Sequence, residues 1–393
     1  MLHNDAVAAL TPEVIAWRRD IHERPELGFE EHQTARFVAA KLRSFGLEVH
    51  EGIGGTGVVG VLSAGSSRRA IGLRAELDAL PVTEMTGKAY ASKTKGVMHA
   101  CGHDGHTAML LGAAKLLSET RSFDGIVYFL FQPAEEVLGG SRKMMEAGLL
   151  DRFPVDNVFA VHNWPGLALG TISTREGPMM AAVDDFDVRF SGTGCHAAMP
   201  HLGDDPILAA GHFITSLQRI VSRTIDPQEP LVVSITQIRA GTVNNIVPGE
   251  VWLQGTCRFF EPAQSDRCEQ LIGRIAKSIA EAHGIKALLD YRKGYPAVVN
   301  TPRAVTQALA AARSAVGSGQ VSTDFKPSLG CEDFAFMVQA AGGAYAWIGA
   351  GEVGSRQGLH GDQYDFNDEI IPIGLRYWLE LVAQALGPGE PSQ

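Results

Sequence analysis

The 393 residues, 45% of them hydrophobic, suffice for two domains with separate cores, and the formal net charge of −10 is spread along the chain without a basic block. That balance excludes electrostatic attachment to nucleic acid or to an anionic membrane surface and points to work on small molecules. The five cysteines are odd in number and lack paired spacing, the opening Met1 to Val7 has no leader-like pattern, and no run approaches about 18 apolar residues, so the expectation is a cytoplasmic protein without a disulfide framework.

Thr11-Pro12 reads as the start of a first helix, with Val14, Ile15, Trp17 and Ile21 at helical spacing. The helix breaks at Pro25, after Arg18-Arg19-Asp20-Ile21-His22. His22, at its end, is expected to meet terminal backbone carbonyls. A second amphipathic segment, 31–45, leads to Gly46. Strands are expected at 57–62, at 70–80 (stopped by Pro81), at 126–132 and at 157–161. The third is apolar throughout, as in a sheet covered on both faces.

Between these strands, His99-Ala-Cys-Gly-His-Asp-Gly-His106 packs three imidazoles, a thiol and a carboxylate into eight residues, with glycines that let the backbone turn sharply. If the run is extended, Cys101 and His103 share a face, and their S and N donors suit a borderline-soft divalent ion. The apolar run from Thr107 then reads as a helix, which places the ligands in the loop before it. A catalytic thiol paired with histidine is the competing reading of Cys101. Asp78, the Cys101/His103 loop, Glu135-Glu136 and His162 all fall at or just beyond a strand end, where ligand crevices of open α/β sheets lie.

After Gly177-Pro178 the pattern becomes β-α-β-β-α-β, the ferredoxin-like order, over residues 182–296. The expected organisation is therefore a catalytic domain made of 1–181 and 297–393, with 182–296 inserted as a dimerisation or lid domain.

With these residues in view, the chain resembles the M20 metallopeptidase family, in its amidohydrolase branch of hippurate, N-acyl-amino-acid and auxin-conjugate hydrolases. The resemblance is carried by Arg19 to Glu31, Arg74-Ala-Glu-Leu-Asp-Ala-Leu-Pro81, His99 to His106, Gln132 to Glu136, Val161-His162, Gly194 to His201, Cys331-Glu-Asp-Phe334 and Leu359-His360. It implies an α/β fold whose mixed-sheet catalytic domain is of zinc-exopeptidase type, with an inserted ferredoxin-like α+β dimerisation domain. It further implies that Cys101, His103, Glu136, His162 and His360 bind two divalent ions (Zn, Mn, Co or Ni). Glu135 would be the general base, and Asp78 would support the site from behind the ligands. His196, Asn245 and Arg258 would contact substrate, the first two across a homodimer, or a tetramer built from it. Glu76 stands where an aspartate is usual, Cys195 where a glycine is and Cys331 where a serine is, so no implied ligand is altered.

The implied activity is hydrolysis of N-acyl amino acids to a carboxylic acid and a free amino acid. A dipeptidase or aminopeptidase of the same fold and a non-catalytic binding homologue are the alternatives. If Glu135 and Glu136 lie in an extended loop, successive side chains point apart and the two can hold separate jobs.

Overall fold

The computed structural model describes residues 4–136, 139–351 and 358–387, and these form two compact units. Unit one takes Met1–Met179, Val298–Lys326 and Asp333–Gln393, and unit two takes Met180–Ala297 and Pro327–Glu332. The inserted unit thus begins two residues before and ends one residue after the expected 182–296. It also takes back a short segment that holds Cys331.

In unit one the chain opens with α1 (Asn4–His22), which starts before Thr11 and carries Pro12 inside it. Val7, Leu10, Val14, Trp17 and Ile21 form one buried stripe, and Thr11 Oγ1 donates to the Val7 carbonyl at 2.7 Å instead of capping. Burial of that stripe outweighs the hydrogen bond that Pro12 cannot make. α2 (His32–Ser44) follows, then β1 (Glu48–Ile53) and β2 (Gly57–Ala64), paired antiparallel. The sequence pattern does not announce β1, because as an edge strand it buries Ile53 alone.

Next come β3 (Ala70–Glu76), α3 (His103–Thr120), β4 (Gly125–Gln132) and β5 (Asn157–Trp164). β3 is shorter than expected, so Asp78 lies past its end, whereas β5 runs longer and holds His162 inside the strand. β3 is parallel to both β4 and β5.

Unit two contains β6 (Ala182–Ser191), α4 (Pro206–Leu217), β7 (Leu231–Ala240), β8 (Glu250–Phe259), α5 (Ala263–Ala282) and β9 (Lys286–Lys293). Its strand order, β7-β8-β6-β9 with every pairing antiparallel, is the ferredoxin-like arrangement. Phe186, Val188 and Phe190 alternate inward from β6 against Phe213 of α4, and Asp205 caps α4 by accepting the Leu208 N–H at 3.0 Å.

Back in unit one, α6 (Pro302–Val316), β10 (Gly343–Gly349) and α7 (Ile371–Leu386) complete the core. β10 joins β5 in parallel, and the sheet order is β1-β2-β4-β3-β5-β10, followed by the short strands 172–173 and 321–322. The result is a large mixed sheet in an α/β unit. Among the described residues no helix is long and apolar enough to cross a membrane.

α3 is buried on nearly every side and packs against α1, α7 and β3. At Gly112 the three helices meet so closely that a Cβ would lie 2.5 Å from Leu375 Cδ2 and 2.9 Å from Val14 Cγ2. A side chain there would gain about 1 kcal/mol of helix propensity at most, less than the cost of overpacking. Gly112→Val is therefore expected to lower stability by about 1 to 3 kcal/mol. Urea unfolding of the two proteins checks this, and an unchanged midpoint would contradict the close approach.

Candidate metal centre

The parallel strands β3, β4 and β5 all end on one edge of the sheet, and the polar residues gather there. Asp78 follows β3, Glu135 and Glu136 follow β4, and His162 stands in the last turn of pleat of β5. Cys101 and His103 arrive from the segment before α3. His103 is the first residue of α3 rather than part of a loop, and Gly102 before it takes φ 92°. That left-handed turn, not an extended run, brings the thiol and the imidazole to the same place.

Two trios result. Cys101, His103 and His162 form one, and Cys101, Glu136 and His360 the other, with ligand atoms within 4.8 Å of one another in each. Cys101 belongs to both. Its Sγ is 3.4 Å from His162 Nε2, and Glu136 Oε1 is 3.2 Å from His360 Nε2 and 4.0 Å from His103 Nε2. Glu135 is buried beside His103 and Glu136.

The donor chemistry fits divalent ions. His103 Nδ1 faces two acceptors, the Asp78 carbonyl at 2.9 Å and Asp78 Oδ1 at 3.2 Å, so it carries a proton and turns Nε2 toward the cluster. Nε2 is buried with no hydrogen-bond partner. In the same way His162 Nδ1 donates to the Asn163 carbonyl at 2.7 Å and presents Nε2 to Cys101. Burial first, then the neighbouring His106, keeps His162 well below the usual histidine range, and hence neutral.

Burial alone would lower the His103 pKa, but Asp78, Glu76 and Glu136 outweigh it and push it up to about 10. Burial and the charges of Glu136 and Glu135 push the Cys101 thiol well above its ordinary value. A thiolate at this position needs a cation beside it, and the site holds negative potential enough to keep one. Thiolate, imidazole and carboxylate donors in this number suit Zn and its neighbours in the first transition row.

The model of peptidase family M20/M25/M40 matches residues 72–384. The chain belongs to that family. It is 41% identical over 369 residues to a hippurate hydrolase from Campylobacter jejuni, covering 94% of this chain and 95% of that one. It is 46% identical over 319 residues to an N-acyl-L-amino acid amidohydrolase from Geobacillus stearothermophilus, covering 79% and 85%. Among solved structures, a Bacillus subtilis protein described as a dinuclear metal binding peptidase from the M20 family superposes with a TM-score of 0.83 at 34% identity. That likeness covers 96% of this chain and 99% of the other.

In this M20 chain the cluster rests on a buried network that the sequence reading did not identify. Glu76 sits between Arg74 Nη1 and His106 Nδ1, the latter at 2.7 Å. His106 Nε2 is 2.7 Å from Asn163 Oδ1, and Asn163 Nδ2 donates to the Tyr364 hydroxyl at 2.7 Å. Arg74 also donates to Gln132 Oε1 at 2.8 Å and to Asp333 Oδ1 at 3.1 Å. Both ring nitrogens of His106 are thus engaged, and His99, whose nitrogens are unpartnered, belongs to none of the trios, so of the three histidines between 99 and 106 it is His103 that offers the cluster a free nitrogen. Charged residues at alternate positions of a wholly buried strand, Arg74 and Glu76, were the signal in the sequence.

Glu135 and Glu136 lie in a turn, not an extended loop. Ala134 takes φ 49°, and the Glu136 N–H donates to Asp78 Oδ2 at 3.0 Å. Their carboxylates do not point apart: an oxygen of each lies within 4.8 Å of the other and of a His103 nitrogen.

The three remaining expected contacts lie in unit two. His196 is exposed on the short strand 195–196, opposite Ile246, and the Ala197 N–H donates to the Asn245 carbonyl at 2.9 Å, so His196 and Asn245 are neighbours. His196 Nδ1 accepts the Ala198 N–H at 3.0 Å, which leaves Nε2 to carry the proton. Arg258 is near the far end of β8, about 25 Å along the strand from Glu250 at about 3.3 Å per residue, and is not brought together with them.

His22 meets carboxylates, not helix-end carbonyls. Its Nδ1 is 2.8 Å from Asp104 Oδ2 and its Nε2 is 3.3 Å from Glu84 Oε2. Burial would lower its pKa, but Asp104 and Glu84 outweigh burial and push it up to about 9 from 6.5. The folded-state value is the higher one, so this stabilisation is complete below about pH 6.5 and is lost as pH rises through about 9. It amounts to something on the order of 3 kcal/mol. In metal-free protein the Tm gap between wild type and His22→Gln is expected to be widest near pH 6 and to close by pH 10. A gap that does not change with pH would contradict the charged pairing.

Proposed function

We propose that this M20 chain is a metal-dependent amidohydrolase that cleaves N-acyl amino acids to a carboxylic acid and a free amino acid. The observation that carries the reading is the pair of trios sharing Cys101, with Glu135 buried beside them. The names of the two relatives above support the substrate class.

Cys101, His103, Glu136, His162 and His360 would hold two divalent ions (Zn, Mn, Co or Ni), with Cys101 common to both. When bound, such ions lower the pKa of water and polarise a carbonyl oxygen. Glu135 would take the proton from the attacking water and deliver it to the amide nitrogen as the C–N bond breaks. That proton shuttle is worth about 10² to 10⁴ in rate. Asp78 would hold the His103 ring in the tautomer that leaves Nε2 for the ion. Arg258 would pair with the substrate carboxylate through its two-pronged guanidinium. His196, as an Nε2–H donor, and Asn245 would stabilise the charge developing on the carbonyl oxygen.

The wide separation of Arg258 from His196 and Asn245 along unit two is more than one small substrate spans. A homodimer in which the latter two serve the partner's site accommodates it. β7 is an edge strand whose second half is exposed, with Ile238 54% exposed and Val243 and Ile246 near it also exposed, as suits pairing across a two-fold axis. Among the described residues no disulfide joins any of the five cysteines, as suits the cytoplasm.

Metal-free protein reconstituted with Zn, Mn, Co or Ni should release amino acid from an acetyl, benzoyl or indole-acetyl conjugate, and chelation should abolish the release. Glu135→Gln should keep its metal and lose about 10² or more in rate, whereas Glu136→Gln should lose metal. Two bound ions with no turnover of any conjugate would overturn the activity, and metal loss from Glu135→Gln in place of Glu136→Gln would reverse the roles.

For the dimer, mixing inactive His196→Ala with inactive Glu135→Gln should restore activity, because one of the two sites in a mixed dimer then has both residues intact. Subunit exchange is first verified by native mass spectrometry. No recovery in verified mixed dimers would confine His196 to its own chain.

A further inference from the structure

Arg18 is wholly buried in α1 and holds three carboxylates. Its Nη1 lies 3.5 Å from Asp104 Oδ2 and 3.6 Å from Asp365 Oδ1, and its Nη2 and Nε each lie 2.9 Å from Asp368 Oδ1. The guanidinium is also 4.6 Å from the centroid of the Tyr90 ring, whose hydroxyl donates to Asp365 Oδ2 at 2.8 Å. The three carboxylates come from two places. Asp104 directly follows His103 in the first turn of α3, whereas Asp365 and Asp368 stand in the stretch just beyond His360.

Of the five residues read as ligands, His360 is the most exposed. Its side chain is 54% exposed, against 1% for His103 and 9% for Glu136. It takes φ 67°, a left-handed conformation that residues other than glycine rarely adopt without support. Its N–H donates to the Ala100 carbonyl at 2.8 Å, one residue from Cys101. Neutral hydrogen bonds steady the stretch that follows, among them Asn163 Nδ2 to the Tyr364 hydroxyl at 2.7 Å and Met85 N–H to the Asp362 carbonyl at 2.8 Å, and the half-exposed Arg19 and Lys88 pair with Asp368 and Asp365 at 2.7 and 3.1 Å. Arg18 adds a charged tie that runs from this stretch to the residue beside His103.

We infer that Arg18 is a positioning residue of the metal centre, fastening the His360 stretch to the α3 turn and so setting where the Cys101, Glu136 and His360 donors meet. The inference rests on the metal reading proposed above. A planar fork fixes the spacing of the carboxylates it holds, which a lysine ammonium on a flexible stem does not. A buried charged cluster adds little stability compared with apolar packing of the same volume, so geometry is the better account of its presence here.

The test titrates metal-free protein with Zn(II) against a competing chelator and counts bound zinc. Arg18→Met would leave Asp104 buried with less compensation, at the risk of unfolding, so the tie is cut from the other side with Asp365→Asn/Asp368→Asn, in which Arg18 keeps Asp104. The wild type should bind two ions. The double variant should bind one with unchanged affinity and the other about 10- to 100-fold more weakly, while its metal-free Tm shows the fold retained. Arg18→Lys, which keeps the charge and loses the fork, should show the same selective weakening. Two ions at wild-type affinity in the double variant, equal weakening of both, or Arg18→Lys indistinguishable from wild type would overturn the positioning role alone. A wild type that binds fewer than two ions would overturn the metal reading and this inference with it.

Discussion

Negative charge crowded at the carboxyl edge of parallel strands is the constraint on which the rest of unit one depends. Glu76, Asp78, Asp104, Glu135 and Asp333 are each less than a tenth exposed, and an ionised carboxylate stays buried only with partners. Arg74 holds Glu76 and Asp333, Arg18 and His22 hold Asp104, and His103 holds Asp78. Of these pairs, the one between Asp78 and His103 also turns a ligand's remaining donor, Nε2, toward the cluster. Cys101, His103 Nε2, His162 Nε2, Glu136 and His360 then converge where the field favours a further cation. The same arrangement explains why the proton affinity of His103 is raised while that of His162 is lowered. Burial disfavours the charged form of both rings, but His103 sits against Asp78, whereas His162 has another imidazole, that of His106, beside it.

Much of this was legible in the sequence because it depends on local pattern. The apolar strand 126–132, the β-α-β-β-α-β order of the inserted unit and the crowded run from His99 to His106 each announce themselves within a few residues. The likeness of many ordered motifs to the M20 family then supplied His360, which no local pattern singles out, and the separate roles implied for Glu135 and Glu136, which their place past a strand end leaves open. Errors of extent came where tertiary burial overrode local signals. Pro12 should have opened a helix, but the stripe from Val7 to Ile21 extended it backward. β5 ran on through His162 because β10 pairs with it as far as Trp164.

The illegible part is long-range and polar. Arg18 reaches Asp368, and Arg74 reaches Asp333, across most of the chain, and a charged residue in an amphipathic helix or strand is ordinarily read as solvent-facing. His22 was misassigned for the same reason, since nothing near it in sequence reveals that Glu84 and Asp104 will close around it. Arg74 and Glu76 were an exception in principle. A charge at every second position of a strand with no polar face has to be satisfied inside the sheet edge, which is a sequence-level clue to a buried network.

The turn that carries Glu135 and Glu136 shows how such a network sets the placement of side chains outside it. Their carboxylate oxygens lie within 4.8 Å of each other and of His103. Here Ala134 takes a left-handed φ of 49°, and its N–H is held by Glu31 Oε1 at 2.8 Å, while Thr56 donates to the other oxygen of that carboxyl. One residue past Glu135, the Glu136 N–H is held by Asp78 Oδ2. The turn is therefore fixed on both sides of Glu135 by carboxylates from α2's entry and from the end of β3. Burial pushes Glu31 up to about 7, against the pull of Thr56 and the backbone N–H groups that favour its charged form. A carboxyl group kept in so unfavourable a place, accepting from the backbone beside the proposed base, makes the turn a rigid element rather than a flexible loop. That rigidity holds both carboxylates beside His103, at the fixed spacing that the proposed division between ligand and base requires.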